Sequence, residues 1–398
     1  MRKILEGIKV LDFTQALSGV YCAMFLGDFG ADIIKVEART GDQSRAWGPF
    51  VDNGESVYFA TFNRNKRSIS VDLRNPEGQK VILDLVKDCD IVLENFKVGT
   101  LEKMNLGYDV MKKVNPRIIF GSISGFGQNG PLAKKPCYDV IATARSGILD
   151  RTGGEDGVPI KPGFSLGDNW TGTNLFFGIG TALLNRQATG RGCRIDLAML
   201  DSCLYMLEEP VLEYFAGKEI SPRVCDSSNT IAPYGMYDAK DGYITISCET
   251  QEKWEEFCRT ISLEHLLENP DYADNALRVK NRDALKAEID SVTSDYDKLE
   301  LEALLQKHHI AAGAVMSMHE LLDGDEQTAA RELAPVVQHP RIGSFRTMGI
   351  PIKFSDTPGS VHTRPAPAIG EHTVEVLEEL GYTEESITSL LDNGAVFK

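Results

Sequence analysis

Short apolar runs separated by helical patterns fill the first 127 residues, and that alternation constrains the fold more than any other feature. Ile8 to Phe13, Ile33 to Val36, Ile91 to Leu93 and Ile118 to Ile123 have the length and β-branched content of buried strands. Between them the spacing predicts helices from about Gly19 to Phe29, Pro76 to Lys87 and Tyr108 to Val114. Strands alternating with helices pair in parallel through crossovers, so the chain is expected to open as an α/β domain with helices on both faces of a parallel sheet. A helix from about Trp170 to Arg186, a strand Arg194 to Leu197 and a long helical stretch from about Asp201 to Ala216 follow.

After Gly217 the texture changes. A polar, breaker-rich connection, Lys218 to Tyr234, leads to a strand pair turning at Asp238 to Gly242, then to helices from about Glu252 to Lys307 and an extended run Ile310 to Ser317. These define a smaller α+β domain at 226–325, joined to a large domain over 1–200 by a linker at 201–225. At 398 residues the chain is long enough for both. Neither an internal repeat nor a low-complexity segment interrupts them.

With no run of 18 apolar residues and no apolar stretch behind Met1-Arg2-Lys3, a soluble cytoplasmic protein with no membrane partner is expected. Eight cysteines, at 22, 89, 137, 193, 203, 225, 248 and 258, include no CxxC pair and indicate neither a disulfide framework nor a zinc site. The net charge of -16 argues against nucleic acid, yet residues 1–140 hold 19 Lys and Arg against 17 Asp and Glu, while the remainder holds 23 against 41. The first domain is a local exception, suited to an anionic ligand. Lys66, Arg67 and Lys134 are its exposed candidates, each equally readable as an ordinary solvated surface charge.

Gly125-Phe126-Gly127-Gln128-Asn129-Gly130 matches the dinucleotide fingerprint in letters. Pro131 and Lys134-Lys135-Pro136 come next, where that fingerprint needs a helix, so a nicotinamide site is disfavoured. All seven histidines lie at or beyond residue 265. The α/β domain therefore has no histidine base of its own, and no spacing for metal ligands emerges.

One segment carries a candidate nucleophile. Gly167-Asp168-Asn169-Trp170-Thr171-Gly172 puts an acid on a glycine turn at a helix start, where backbone N–H groups favour negative charge and can hold an oxyanion. The same placement suits an ordinary N-cap, and local sequence leaves both readings open.

Taken with its neighbours, this segment resembles the class III CoA-transferase (CaiB/BaiF) family, which includes formyl-CoA transferase and the carnitine CoA-transferases. The resemblance rests on an ordered set: Leu11 to Thr14, Gly30 to Glu37, Asn65 to Ile69, Asn95-Phe96, Ser124 to Gln128, Tyr138-Asp139, Gly190-Arg191-Gly192 and Gly370 to Thr373. It covers the chain almost end to end. What it implies is a large domain with a Rossmann-like sheet to which 326–398 return, a smaller α+β domain, and an interlocked homodimer.

The resemblance further implies that Asp168 carries the acyl group, with acyl-CoA and a small carboxylic acid as partners. Coenzyme A is then substrate and product, with no permanently bound cofactor and no metal. Arg39, Leu73, Asn95, Phe96, Lys97, Lys103 and Tyr138 correspond to CoA-contacting positions, and Gln15 and Gly167 to a loop and oxyanion role. The family's catalytic glutamine aligns with Leu17, while Gln15 stands two residues earlier; Ala38 replaces a frequent arginine. The glycine-rich loop of formyl-CoA transferase is missing at Asp226 to Tyr234, which argues against formate or oxalate. That loop and Ile220-Ser221-Pro222-Arg223 look closer to the carnitine branch. The α-methylacyl-CoA racemases share the fold but have histidine where Tyr138 stands, and tyrosine, with an ordinary pKa near 10, is a poor base near neutrality. A racemase and a non-catalytic acyl-CoA binder are the alternatives.

Overall fold

The computed structural model describes residues 3–154, 157–224 and 226–398. They divide into two compact units, the first comprising 1–148, 162–207 and 327–398, the second 149–161 and 208–326. This moves two boundaries. Residues 149–154 and 157–161, expected in the large domain, belong to the second unit, and the expected linker divides, 201–207 to the first unit and 208–224 to the second.

Six strands of the first unit, β1 (Lys9–Asp12), β2 (Asp32–Glu37), β3 (Lys66–Val71), β4 (Ile91–Glu94), β5 (Ile119–Ser124) and β6 (Arg194–Ala198), pair in parallel in the order 3-2-1-4-5-6. This is the doubly wound arrangement, in which chain connections reverse direction between β1 and β4. In the second unit β7 (Tyr234–Ala239), β8 (Gly242–Ser247) and β9 (Ala311–Ala314) form an antiparallel sheet. Its own core is built on Trp254, Phe257, Leu285 and Leu301. Back in the first unit, β10 (Val336–His339) and β11 (Gly343–Arg346) form a hairpin. Finally β12 (Val396–Phe397) joins the main sheet antiparallel to β3.

Strand β3 escapes the apolar pattern because Lys66-Arg67-Ser68-Ile69-Ser70-Val71 is half polar, although every residue in it is buried. Its charges are neutralised internally. The Lys66 ammonium lies 2.9 Å from the Asp12 carboxylate, both with no exposed side-chain surface. Arg67 bridges Asp32 of β2 and Glu375 and Glu379 of the helix Thr373–Glu379. Neither is the solvated surface charge that composition suggested.

The expected helix from Asp201 to Ala216 is two helices, Met199–Leu204 and Glu208–Phe215. Pro210 accounts for the break: it is tolerated in a first turn but not mid-helix, so the second helix starts just upstream of it. The helix at the acid motif starts earlier than the periodicity predicts, spanning Leu166–Thr189. Among the described residues no helix is long and apolar enough to cross a membrane, and no group of three or more His, Cys, Asp or Glu could hold a metal ion. The described cysteines are free thiols, while Cys225 lies outside the described residues.

Candidate active site

Open parallel sheets bind ligands beyond the carboxyl ends of their strands, at the reversal point. Here that point lies between the ends of β1 and β4, and a cavity of about 330 Å³ opens beside it. After β1 the chain runs through Gln15, Ala16 and Leu17 into the helix Ser18–Asp28; after β4 it runs through Asn95, Phe96 and Lys97. The two crests are tied together. The Asn95 side chain accepts from the Gln15 amide at 2.9 Å and donates to the Gln15 carbonyl at 2.8 Å.

That turn is under constraint. Ala16 has φ of 64°, a region unfavourable for any residue with a Cβ, so its surroundings must hold it. They do so with buried charges: the Ala16 amide donates to Asp42, and Lys35 bonds both Asp42 and the Thr14 carbonyl at 2.9 and 2.8 Å. Lys66 and Asp12 hold the same turn from the other side, through Asp12 and the Thr14 amide. The buried lysines thus act on the turn through the Thr14 carbonyl and the carboxylates of Asp12 and Asp42.

Asp168 lines the same cavity, half-buried, in the first turn of the helix Leu166–Thr189. It does not cap that helix. The amides of Gly167 and Asp168 donate instead to Oδ1 of Asp139, at 2.8 and 3.2 Å. This removes the capping reading of the acid motif, since the capping acceptor comes from a different helix, Asp139–Ser146, and the Asp168 side chain lines the cavity instead. The same bonds correct the reading of Gly167 as an oxyanion donor, because its amide is already engaged.

Burial drives the Asp168 carboxyl up to about 7; the nearby Asp139 carboxylate adds to the rise, and a hydrogen bond with the Ser18 side chain opposes it. Cys137, also on the cavity wall, is pushed up to about 11 by burial and then by Asp168, so it stays a thiol near neutrality. Tyr58, raised to about 12 by burial, Asp168 and Asp42, likewise remains a neutral phenol. Asp168 is therefore the group of this set poised to gain or lose charge at neutral pH.

Two effects of pH follow. If Asp168 must be ionised to attack, kcat/KM for a thioester donor should fall about tenfold per pH unit below the Asp168 pKa. For stability the sign is reversed. The unfolded chain ionises this group from about 3.8 upward but the folded chain only near 7, so the cost of charging it is absent below 3.8 and complete above 7. Asp168→Asn should accordingly raise the thermal midpoint at pH 8 relative to the native chain, with the gap closing toward pH 4. An unchanged difference across that range would count against the raised pKa.

Of the residues predicted from sequence, Gln15, Asn95, Phe96, Lys97, Tyr138 and Asp168 line this one cavity. Arg39, Leu73 and Lys103 do not. Arg39 lies over the Phe397 ring at 5.2 Å, Leu73 packs on the main core, and Lys103 ends the short helix Thr100–Lys103, exposed. Lys135, Trp47, Ser18, Cys137 and Met199 line the cavity without having been anticipated; Gly125, whose run the resemblance gives as a backbone turn lining the site, lines it too. Gly125 belongs to the fingerprint-like run, and its glycine serves packing: a Cβ there would collide with Cys137. No helix begins until Asp139, so the run is not a dinucleotide turn.

The doubly wound domain thus places a carboxyl raised to about 7, Asp168, in the cavity at its reversal point, and comparison with known proteins gives the family. Residues 5–373 match the model of CoA-transferase family III, and the chain belongs to that family. It is 35% identical over 396 residues to succinyl-CoA:glutarate CoA-transferase of Mus musculus, covering 99% of this chain and 90% of that one. It is also 35% identical to formyl-CoA:oxalate CoA-transferase of Rhodopseudomonas palustris, covering 100% and 98%. Among solved structures, a CaiB/BaiF family protein from Brucella suis superimposes with a TM-score of 0.85 at 34% identity, covering 96% of this chain and all of that one.

Proposed function

We propose that this family III CoA-transferase moves CoA from an acyl-CoA thioester to a small dicarboxylic acid through covalent intermediates on Asp168. The observation that carries the reading is an uncapped, pH-poised carboxyl at the strand-reversal cavity, beside a hydroxyl donor from Ser18. The acceptor class is taken from the two relatives above, whose named acceptors, glutarate and oxalate, are both dicarboxylates.

In the first step an Asp168 oxygen attacks the donor thioester carbonyl, the C–S bond breaks, and CoA leaves as thiolate, giving a mixed anhydride. The thiolate attacks the Asp168 carbonyl carbon, releasing the donor acid and forming an aspartyl-CoA thioester. An acceptor carboxylate displaces CoA from Asp168 to form a second anhydride. The thiolate then attacks the acceptor's acyl carbon, which yields the new thioester and frees Asp168. Acyl activation is conserved at every stage, and a shielded cavity keeps water from discharging it.

With the Gly167 amide engaged, oxyanion stabilisation falls to the first turn of Ser18–Asp28, whose start has no side-chain cap and whose Leu17 and Ser18 line the cavity. Asn95 acts by holding Gln15 in place, while Lys97 and Lys135 supply the cations for CoA phosphates. A homodimer is also proposed: Phe177 and Leu184 stand exposed at 75% and 68% on one side of the helix Leu166–Thr189, an apolar surface fit for a second copy.

Paired acyl-CoA donors and free acids, analysed by mass spectrometry in deuterated water, test the reading. CoA should pass to dicarboxylates without α-deuterium entering a 2-methylacyl-CoA, and rapid exchange without transfer would favour the racemase. Replacing Lys97 and Lys135 together by Ala should raise donor KM about tenfold or more, from lost charge-assisted contacts, and spare acceptor KM. The reverse pattern would move the lysines to the acid.

A further inference from the structure

One buried acid of the first unit has no part in the chemistry at Asp168. Glu94 closes β4, the strand that leads into the crest of Asn95, Phe96 and Lys97, and it is only 6% exposed. A carboxyl taken out of water is costly unless a cation accompanies it. Among the described residues Glu94 has no ion pair; Arg194 of β6 reaches Glu102 instead, at 3.8 Å.

Its firm contact is with the backbone. Glu94 Oε2 accepts from the Phe96 amide at 2.9 Å, so the side chain grips the turn that follows its own strand. Asn95, between them, bonds the Gln15 amide and carbonyl. The crest is thus fixed twice, once from β4 and once across the reversal point. Burial pushes the Glu94 carboxyl up to about 7; Ser122, its register partner on β5, the Phe96 amide and Arg194 oppose the rise, while Glu102 of the helix Thr100–Lys103 adds to it.

We propose that Glu94 is a positioning residue for CoA: by holding the Phe96 amide it keeps the 95–97 crest in the arrangement that receives the ligand, and its ionised form holds that crest more firmly than its neutral form. This rests on the placement of CoA against Lys97 given above. A hydrogen bond to a charged acceptor is shorter and roughly twice as strong as a neutral one. Affinity should accordingly rise with pH through about 7 and level off above it, and binding near pH 7 should release protons, because the bound state favours the ionised carboxylate.

The test is calorimetric titration of the full chain carrying Asp168→Asn, which removes the other cavity carboxyl that titrates near 7. The probe is dephospho-CoA, whose diphosphate stays ionised from pH 6 to pH 8.5. Affinity should rise about fivefold over that range, with protons passing to the buffer near pH 7. Glu94→Gln, a neutral near-isostere that can still accept the Phe96 amide, should bind at every pH as the parent does at pH 6 and release no protons. Glu102→Gln, at a side chain 48% exposed, serves if that variant fails to fold: it removes a like charge facing Glu94 and should move the midpoint of the rise to lower pH. An equal pH step in Glu94→Gln, an unmoved midpoint in Glu102→Gln, or no step in the parent would overturn the role of Glu94. Absent binding, or binding that Lys97→Ala with Lys135→Ala leaves unchanged, would instead overturn the placement of CoA, and the role of Glu94 with it.

Discussion

Asp168→Ala should lower kcat by on the order of 10³-fold or more, the loss expected when a covalent nucleophile is removed, while leaving acyl-CoA affinity nearly unchanged. The geometry makes this a sharp expectation. The Asp168 side chain contributes no cap to its helix, since Asp139 accepts the Gly167 and Asp168 amides, so its removal should not fray the helix start. It also carries a carboxyl that resists ionisation, so the variant should be at least as stable as the native chain at neutral pH. Activity and stability are thus separable at this residue. Hydroxylamine added during turnover should convert the acylated carboxyl to a hydroxamate on the peptide containing Asp168. Near-normal turnover by the folded variant, or a hydroxamate elsewhere, would falsify the covalent role.

Much of this site was legible in the sequence because it rests on elements with strong local signals. Apolar β-branched runs revealed β1, β2, β4 and β5, and two of these deliver Gln15 and Asn95 to the cavity. The acid at 168 was visible as a residue type beside glycine, but its status was not. Whether it capped the helix depended on Asp139, 29 residues away, which no spacing rule reports. Arg39, Leu73 and Lys103 lie off the cavity wall, Arg39 over the Phe397 ring, Leu73 against the main core and Lys103 at the end of a short helix, and Lys135 took a place that charge counting alone had not assigned.

The charge count misled for a related reason. Lys35, Lys66 and Arg67 contribute to the positive balance of the first 140 residues, but all three are buried against carboxylates. Net charge reports composition, whereas a ligand responds only to the charges left unpaired. Strand β3 was missed through the same feature: a buried strand that carries its own ion pairs has no apolar periodicity to detect.

Lys66→Met should therefore be strongly destabilising, by about 3–5 kcal/mol, because it strands the fully buried Asp12 carboxylate without its closest cation. Burial opposes ionisation of Asp12, and the cations of Lys66 and Lys35 together hold its carboxyl below the usual range. Removing Lys66 takes away the closer of these and leaves Lys35, already bonded to Asp42 and the Thr14 carbonyl, as the remaining cation. Asp12 also positions the Thr14 amide ahead of Gln15, so the variant should lose activity beyond what its folded fraction explains. The double variant Asp12→Asn with Lys66→Met removes both charges and should recover much of the stability, since a buried pair replaced by neutral groups of similar size is often close to neutral. Urea unfolding of the four members of this cycle measures the coupling directly. A denaturation midpoint for Lys66→Met equal to that of the native chain would show that Lys35 alone satisfies Asp12, and the second lysine would then be dispensable to the turn that carries Gln15.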